Sequence, residues 1–398
     1  MSRTERPTPN YGAIETELDE QDAAAYVHIG DEHDPMLQYL TRFDGPDREY
    51  AFVYADGEAT LCAPALFGDQ ARREFPGDTV TEAGSDRPSA VARATDVIDA
   101  PSSSRVLVPA SLPHHAYQEL ASVGYEIVTT STLETSRARK TALEIEWLRR
   151  TEAATQAAMR RAEAILADAT PSGEELCWEG EPLTTERLRR AINAALARQG
   201  AAAVGNTVVG AGPSCADLHY NGDDIIRPTE TVLIDLGPRG PDGYFGDMTR
   251  TFVPGTVPEW EREAYETVAA ALDAGLDRLD DAPGIPANEV HATIVDVVEA
   301  NGFATGDVDV GLYHGTGHGV GAALHEPPFF STDARLEPGH VVTIEPGVYD
   351  PERGGVRLED LVLVTDDGIE NLVEYPCRIT PREKEADDRA DESSVDGT

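Results

Sequence analysis

Lysine is nearly missing from this 398-residue sequence: Lys140 and Lys384 are the only two, and the other 30 bases are arginine. Bases as a whole are scarce, 32 against 73 acids, for a formal net charge of −41. Such a surface repels a phosphate backbone over most of its area, so nucleic acid is excluded as a partner, and anionic membrane with it. No run of 18 apolar residues occurs, and the opening MSRTERPTPNYGAIETELDE has no apolar stretch of signal-peptide type. The expectation is a cytoplasmic protein with no membrane association. Cys62, Cys177, Cys215 and Cys377 are scattered without CxxC spacing. That argues against a disulfide framework and a zinc knuckle, and reads as small apolar side chains in a reducing cytosol. GxSxG and HExxH are also absent, and no GKS or GKT accompanies a glycine-rich loop. The serine-hydrolase, zincin and phosphate-loop readings therefore lack their motifs.

The acid excess has a physical reading of its own. Proteins of salt-loving cytoplasms have this composition, because salt screens the self-repulsion and the acids keep the surface hydrated. An acidic substrate channel would need a handful of acids, not dozens. A salt-adapted source is expected, with a fold that loosens at low ionic strength.

At 398 residues and 40% apolar content the chain has material for two domains. Residues 1–135 hold short strand-like segments, AYVHI (25–29), EYAFVYA (49–55), ATLCAPA (59–65) and SRVLVPA (104–110), between helical or turn-rich stretches. VYADGEATL (53–61) reads as a hairpin turning on Asp-Gly. This part is expected to be a small α/β domain. From 136 to 381 the layout is different. A helix over 143–169 places Ile145, Leu148, Ala158, Met159, Ala162, Ile165 and Leu166 on one face, and a second helix runs over about 184–198. Strands follow in NTVVG (206–210), TVLIDLG (231–237) and GYFGDMTRTFVPG (243–255). Helices over about 258–280 and 286–300 then precede a strand pair, HVVTIEPGVY (340–349) and GGVRLEDLVLVT (354–365). Each half runs two helices and then a hairpin with two carboxylates, which suggests a pseudo-twofold α/β (α+β) domain. Residues 382–398 are charged, nearly devoid of apolar side chains, and expected to be disordered.

Five residues in this second part read as one two-metal site: Asp235, Asp247, His318, Glu345 and Glu359. Asp235 stands inside the apolar run VLIDL and Glu359 inside VRLEDLVLV, where a lone charge is costly unless paired or metal-bound. Taken singly, Asp247 capping a turn and Asp235 paired with an arginine such as Arg250 would serve as well. Four acids on two hairpins resist that explanation, because clustered carboxylates repel without cations. HGTGHGVG (314–321) is glycine-rich, so its backbone can pass close to a ligand. His314 and His318 could be solvent-exposed loop histidines, but with His325 they put three of the ten histidines within 12 residues. Four oxygens and one nitrogen suit a pair of divalent cations, manganese, cobalt, iron or zinc, and exclude copper(I). The chemistry indicated is metal-activated water, hence a hydrolase.

The stretches VLIDLG, GDMTRTF, HGTGHGVG, TIEPGVY and GGVRLED, in that order, resemble the signature of the pita-bread metallopeptidases, above all Xaa-Pro dipeptidases (prolidases) and Xaa-Pro aminopeptidases. The likeness covers about 135–380, and RKTALEIEWLRR (139–150) is similar to the family's entry helix. The N-terminal part is similar in layout to the extra domain that prolidases carry. The resemblance implies that Asp235 chelates one metal, Asp247 and Glu359 bridge both, and His318 and Glu345 bind the second. It also implies that Glu345 shuttles a proton to the leaving nitrogen, that His219 contacts substrate and that His325 stabilises the tetrahedral intermediate. His314 would serve proton relay or substrate orientation, and Arg357 would steady the bridging glutamate. Manganese, a proline-containing peptide substrate and a homodimer follow from the same resemblance. Read from the residues alone, Arg357 could merely neutralise Asp350 or another acid, His219 could be a loop histidine, and Cys215 reads as packed rather than nucleophilic. Two other functions on this fold are a metal-dependent lyase or other small-molecule hydrolase, and a non-enzymatic peptidase-like binding module. The full set of five ligands opposes the last.

Overall fold

The computed structural model describes residues 8–83, 89–98 and 105–382. The expected acidic tail from 383 onward lies outside them. The chain divides into two compact units that part between Arg137 and Ala138.

The first unit is a six-stranded mixed sheet with helices. Its strands are β1 (Ala25–Gly30), β2 (Tyr50–Ala55), β3 (Glu58–Pro64), β4 (Thr79–Ala83), β5 (Arg105–Pro109) and β6 (Glu126–Thr130), in the order β4-β3-β2-β1-β5-β6. β2 and β3 form the hairpin expected at Asp-Gly. Asp56 and Gly57 take φ of 52° and 78°, the left-handed pair that matches the strand twist. The helices are α1 (Gly12–Gln21), α2 (Pro35–Thr41), α3 (Gly68–Glu74), α4 (Ala90–Val97) and α5 (His114–Val123). Alternate residues Ala25, Val27 and Ile29 face one side and pack with Val91 and Ala94 of α4 and Ala116 and Leu120 of α5. The next helix, α6 (Thr132–Ala138), closes this part.

The second unit opens on α7 (Ala142–Asp168), whose first turn is a capping box. Thr141 Oγ1 accepts the Glu144 N–H at 3.4 Å and Glu144 returns a carboxylate to the Thr141 N–H at 2.8 Å. Leu148, Met159, Ala162 and Ile165 are buried, as the periodicity predicts. Three short strands, β7 (Thr170–Ser172), β8 (Glu175–Trp178) and β9 (Glu181–Pro182), lead to α8 (Thr185–Arg198). The strands β10 (Thr207–Ala211), β11 (Val232–Leu236) and β12 (Met248–Phe252) form an antiparallel sheet on which α7 packs. The second half repeats this plan. α9 (Glu259–Leu279) and α10 (Ala287–Ala300) pack with Val268, Leu272, Ile294 and Val298 onto Val342, Ile344 and Val362.

The second strand pair differs from the two continuous strands expected. Four pieces form instead: β13 (Val341–Ile344), β14 (Gly347–Asp350), β15 (Gly354–Arg357) and β16 (Asp360–Val364), with β17 (Ile369–Asn371) beside β16. β13 pairs with β16, and β14 with β15. The breaks fall at Glu345-Pro346 and Leu358-Glu359. Proline has no N–H to give a ladder, so the first break has a direct cause.

Candidate metal centre

The paired breaks free Glu345 and Glu359 from the strand alternation and turn both toward one cavity of about 330 Å³. Asp235, Asp247 and His318 line the same cavity, as do His219, His314, His325 and Arg357. Every residue expected at the site therefore borders one space.

Asp235 sits in β11, where it is the one partly exposed residue in an otherwise buried strand. Its partner is Arg357, whose Nη2 donates to Oδ2 at 2.6 Å. The alternative pairing with Arg250 does not form. Asp235 stands opposite Thr249 in the ladder, whereas Arg250 stands opposite Ile234 and so projects from the other face of the sheet. Arg250 instead pairs with Asp360 at 2.7 Å and donates to the Glu359 and Tyr375 carbonyls, also at 2.7 Å. Asp350, the other partner considered for Arg357, pairs with Arg353 at 3.4 Å.

Asp247 lies one residue before β12 and is buried. Its carboxylate faces His318 rather than a turn N–H, and its own N–H donates to Glu152 Oε2 on α7 at 3.1 Å. His318 stands with Nε2 3.7 Å from Asp247 Oδ2 and 3.4 Å from Glu345 Oε1. Its Nδ1 is 3.0 Å from the Gly319 carbonyl, an acceptor, so the ring proton belongs on Nδ1 and the Nε2 lone pair faces the acids. The loop carrying it is stitched to β13. The His318 N–H donates to Thr343 Oγ1 at 3.1 Å, the Thr343 N–H to the His318 carbonyl at 2.8 Å, and the Glu345 N–H to the Thr316 carbonyl at 3.1 Å. A Cβ at Gly317 would stand 2.4 Å from the Thr343 carbonyl, so this approach requires glycine. Glu359 accepts a hydrogen bond from Thr249 Oγ1 at 2.6 Å. Single donor atoms of Asp247, His318 and Glu359 all lie within 4.8 Å of one another.

The electrostatics call for cations. Burial, then the charges of Glu359, Asp235 and Glu345, hold Asp247 well above the carboxylate range. Burial, then Glu345 and Asp235, does the same to Glu359. Burial lifts Glu345 to about 7 against the pull of Arg357. Arg357 is the one arginine or lysine among the lining residues, and it is already engaged with Asp235. Buried acids in this number are stable as anions only beside added positive charge. Hard oxygens with one imidazole fit divalent ions.

Around the acids runs a chain of hydrogen bonds. Arg357 Nη1 donates to the Tyr349 oxygen at 2.9 Å, the Tyr349 hydroxyl lies 2.9 Å from His314 Nε2, and His314 Nδ1 lies 2.6 Å from the Gly315 carbonyl. Burial, reinforced by Arg357, holds His314 down at about 4, so it is a neutral ring. His325 stacks obliquely on His318 with ring centres 4.3 Å apart. His219 is an exposed loop residue on the cavity wall. Cys215 is packed: burial raises its thiol to about 11, and Thr231 holds its sulfur at 3.5 Å.

Two residues at the site escaped the sequence reading. Tyr349 sits in the recognised TIEPGVY stretch without a polar signal. Glu152 is fully buried on α7, and burial raises its carboxyl to about 8. It falls one turn after Leu148 on the apolar stripe, so an acid on a core-facing position was the available sign.

A sequence model described as metallopeptidase family M24 matches residues 146–366. The chain belongs to this family. Among curated relatives, the M24 chain is 37% identical over 170 residues to the Xaa-Pro dipeptidase of Pyrococcus furiosus, 42% of this chain and 47% of that one. It is 35% identical over 243 residues to the Xaa-Pro aminopeptidase of Escherichia coli, 54% of each chain. These alignments span about half the length of the curated relatives. The solved Xaa-Pro dipeptidase from Bacillus anthracis superposes with a TM-score of 0.80 at 25% identity, covering 93% of this chain and 98% of that one. The pita-bread fold with an N-terminal domain is thus shared, and a metallopeptidase family implies divalent metal, as the donor set does. Among the described residues, no helix is long and apolar enough to cross a membrane.

Proposed function

We propose that this M24 chain is a two-metal Xaa-Pro peptidase that hydrolyses the bond before proline in dipeptides or at peptide N-termini. The observation that carries the reading is the convergence of Asp235, Asp247, His318, Glu345 and Glu359 on one cavity with too little positive charge to balance them. Those five residues would hold the ions, and the relatives' printed activities supply the proline preference. Bound divalent ions would contribute Lewis acidity toward the scissile carbonyl and a lowered pKa for water. The chain's own groups do the rest. Added positive charge draws Glu345 down to a carboxylate, able to accept a proton from the attacking water and deliver it to the leaving nitrogen. His325, at the open side of the cavity, offers an N–H to the oxygen that gains charge in the transition state. His219 and His314 border the space for substrate, and the Arg357–Tyr349–His314 chain fixes His314 as a neutral ring whose Nε2 faces the Tyr349 hydroxyl, placed to orient substrate or to pass a proton along that chain. Arg357 also holds Asp235 in place.

Manganese as the preferred ion, a homodimer, the 1–135 and 136–381 domain assignments and a salt-adapted cytoplasmic setting belong to the same reading. Their support is the resemblance and the −41 charge. The test is a panel of Xaa-Pro dipeptides and Xaa-Pro-Xaa tripeptides, run in high salt on chelated protein with manganese, cobalt, iron or zinc restored. Turnover of neither class with any metal would sink the proposal.

A further inference from the structure

One of the chain's two lysines is buried. Lys140 and Glu326 have side chains only 1% exposed, with Nζ 2.8 Å from Oε1. A buried ion pair seldom adds net stability over an apolar pair of the same size, so its presence points to a need for geometry. The choice of lysine sharpens this, because the sequence otherwise uses arginine 30 times. The Glu326 carboxylate lies directly on Gly321, where a Cβ would meet Oε1 at 2.3 Å and Cδ at 2.7 Å. So crowded an acid suits a compact ammonium better than a planar guanidinium.

Each partner is anchored on a different segment. The Lys140 N–H donates to the Gly339 carbonyl at 2.8 Å, ahead of β13, and the next residue caps α7. Glu326 exchanges backbone hydrogen bonds with Gly319 at 2.8 and 2.9 Å, and its Oε2 accepts the Ala323 N–H at 3.3 Å. Glu326 therefore closes the loop 319–326. His318 immediately precedes that loop and His325 ends it, their rings 4.3 Å apart. Backbone hydrogen bonds from the Val320 N–H to the Val341 carbonyl at 2.9 Å and from the Phe245 N–H to the Gly321 carbonyl at 3.0 Å hold the near side of this loop, and the ion pair is the side-chain tie from its far end to the start of the helix and sheet that support the acids.

We propose that Lys140 and Glu326 form a positioning clasp that sets His325 against His318, and so governs turnover without holding metal or substrate. The turnover part of this inference rests on the peptidase reading above. The test compares wild type with the double variant Lys140→Met/Glu326→Leu, which removes both charges and leaves neither buried alone. Amide hydrogen exchange in the chelated protein is expected to quicken in 319–326 and to stay unchanged elsewhere. In the reloaded protein, metal content should be unchanged while kcat falls about 10- to 100-fold and KM shifts less than about threefold, the usual scale for groups that orient others. Lys140→Arg should not restore kcat. Wild-type exchange in the loop together with kcat within about threefold would overturn the clasp. If the double variant does not fold, Glu326→Gln, which keeps an acceptor for the ammonium, decides by the same two readouts. If wild-type protein cleaves no Xaa-Pro peptide with any metal, the peptidase reading fails, and the exchange measurement still decides the clasp.

Discussion

Metal binding at this centre should release protons, and its strength should fall steeply with acid. In the metal-free protein Asp247 and Glu359 are held well above the carboxylate range, and Glu345 sits at about 7. The cause in each case is burial first, with neighbouring acids adding to it. Groups with raised values hold protons to higher pH than ordinary carboxylates, so a cation displaces protons as it binds, and lowering the pH favours the empty, protonated site. Glu345, at about 7, makes that about half a proton per chain at pH 7, and the upward shifts of Asp247 and Glu359 add to it. Glu345 alone then changes the metal-binding constant about threefold per pH unit near pH 7, or about 0.7 kcal/mol, and Asp247 and Glu359 steepen that dependence. Isothermal titration with manganese at pH 6 to 7.5, in pairs of buffers with different protonation heats, counts the protons directly. No measurable proton release at pH 7 would refute the argument, because the acids would then not share a low-dielectric space without a cation.

Further expectations follow from the neighbouring groups. Arg357 draws both Glu345 and Glu359 downward, so Arg357→Met should increase proton release on metal binding and lower turnover by about 10- to 100-fold. An unchanged proton count would contradict the assigned pairing. Glu345→Ala should bind less metal by elemental analysis and lose turnover by about 10²-fold or more. Glu152 has a folded value near 8, above that of an unfolded glutamate, so its contribution to stability is full in acid and lost as pH rises through about 8. The Tm of chelated protein should fall less between pH 7 and 9 in Glu152→Gln than in wild type; parallel curves would rule this out. The −41 charge predicts a Tm that climbs with potassium chloride as the screening length shrinks from about 10 Å at 0.1 M to about 3 Å at 1 M. A salt-independent Tm would remove the case for salt adaptation.

Much of the centre was legible because its members break local rules. An aspartate inside VLIDL and a glutamate inside VRLEDLVLV are costly in a strand, and that cost is visible in a single line of sequence. The β2–β3 hairpin was legible for a similar reason, since Asp56-Gly57 supplies the left-handed turn that its strands need. β4 and β6 were not anticipated. Thr79–Ala83 and Glu126–Thr130 are short and poor in apolar alternation, and they become strands by pairing with β3 and β5. Glu152 was hidden because a helix face shows its polar members only once something is packed against it.

The sequence by itself singled out the nine residues that the structure brings to one cavity, because residue type and local pattern are properties of short stretches. It also determined the order of helices and hairpins, through apolar spacing and turn residues. Partnership was decided only by the tertiary structure. Arg357 meets Asp235 across 122 positions, and Arg250 meets Asp360 across 110. Strand alternation sends Arg250 and Asp235 to opposite faces, so the nearer arginine in sequence is the wrong one. The breaks at Glu345 and Glu359 act in the same way. They turn two acids from separate strands into one buried space, where desolvation and mutual repulsion leave a need for positive charge that no isolated segment has.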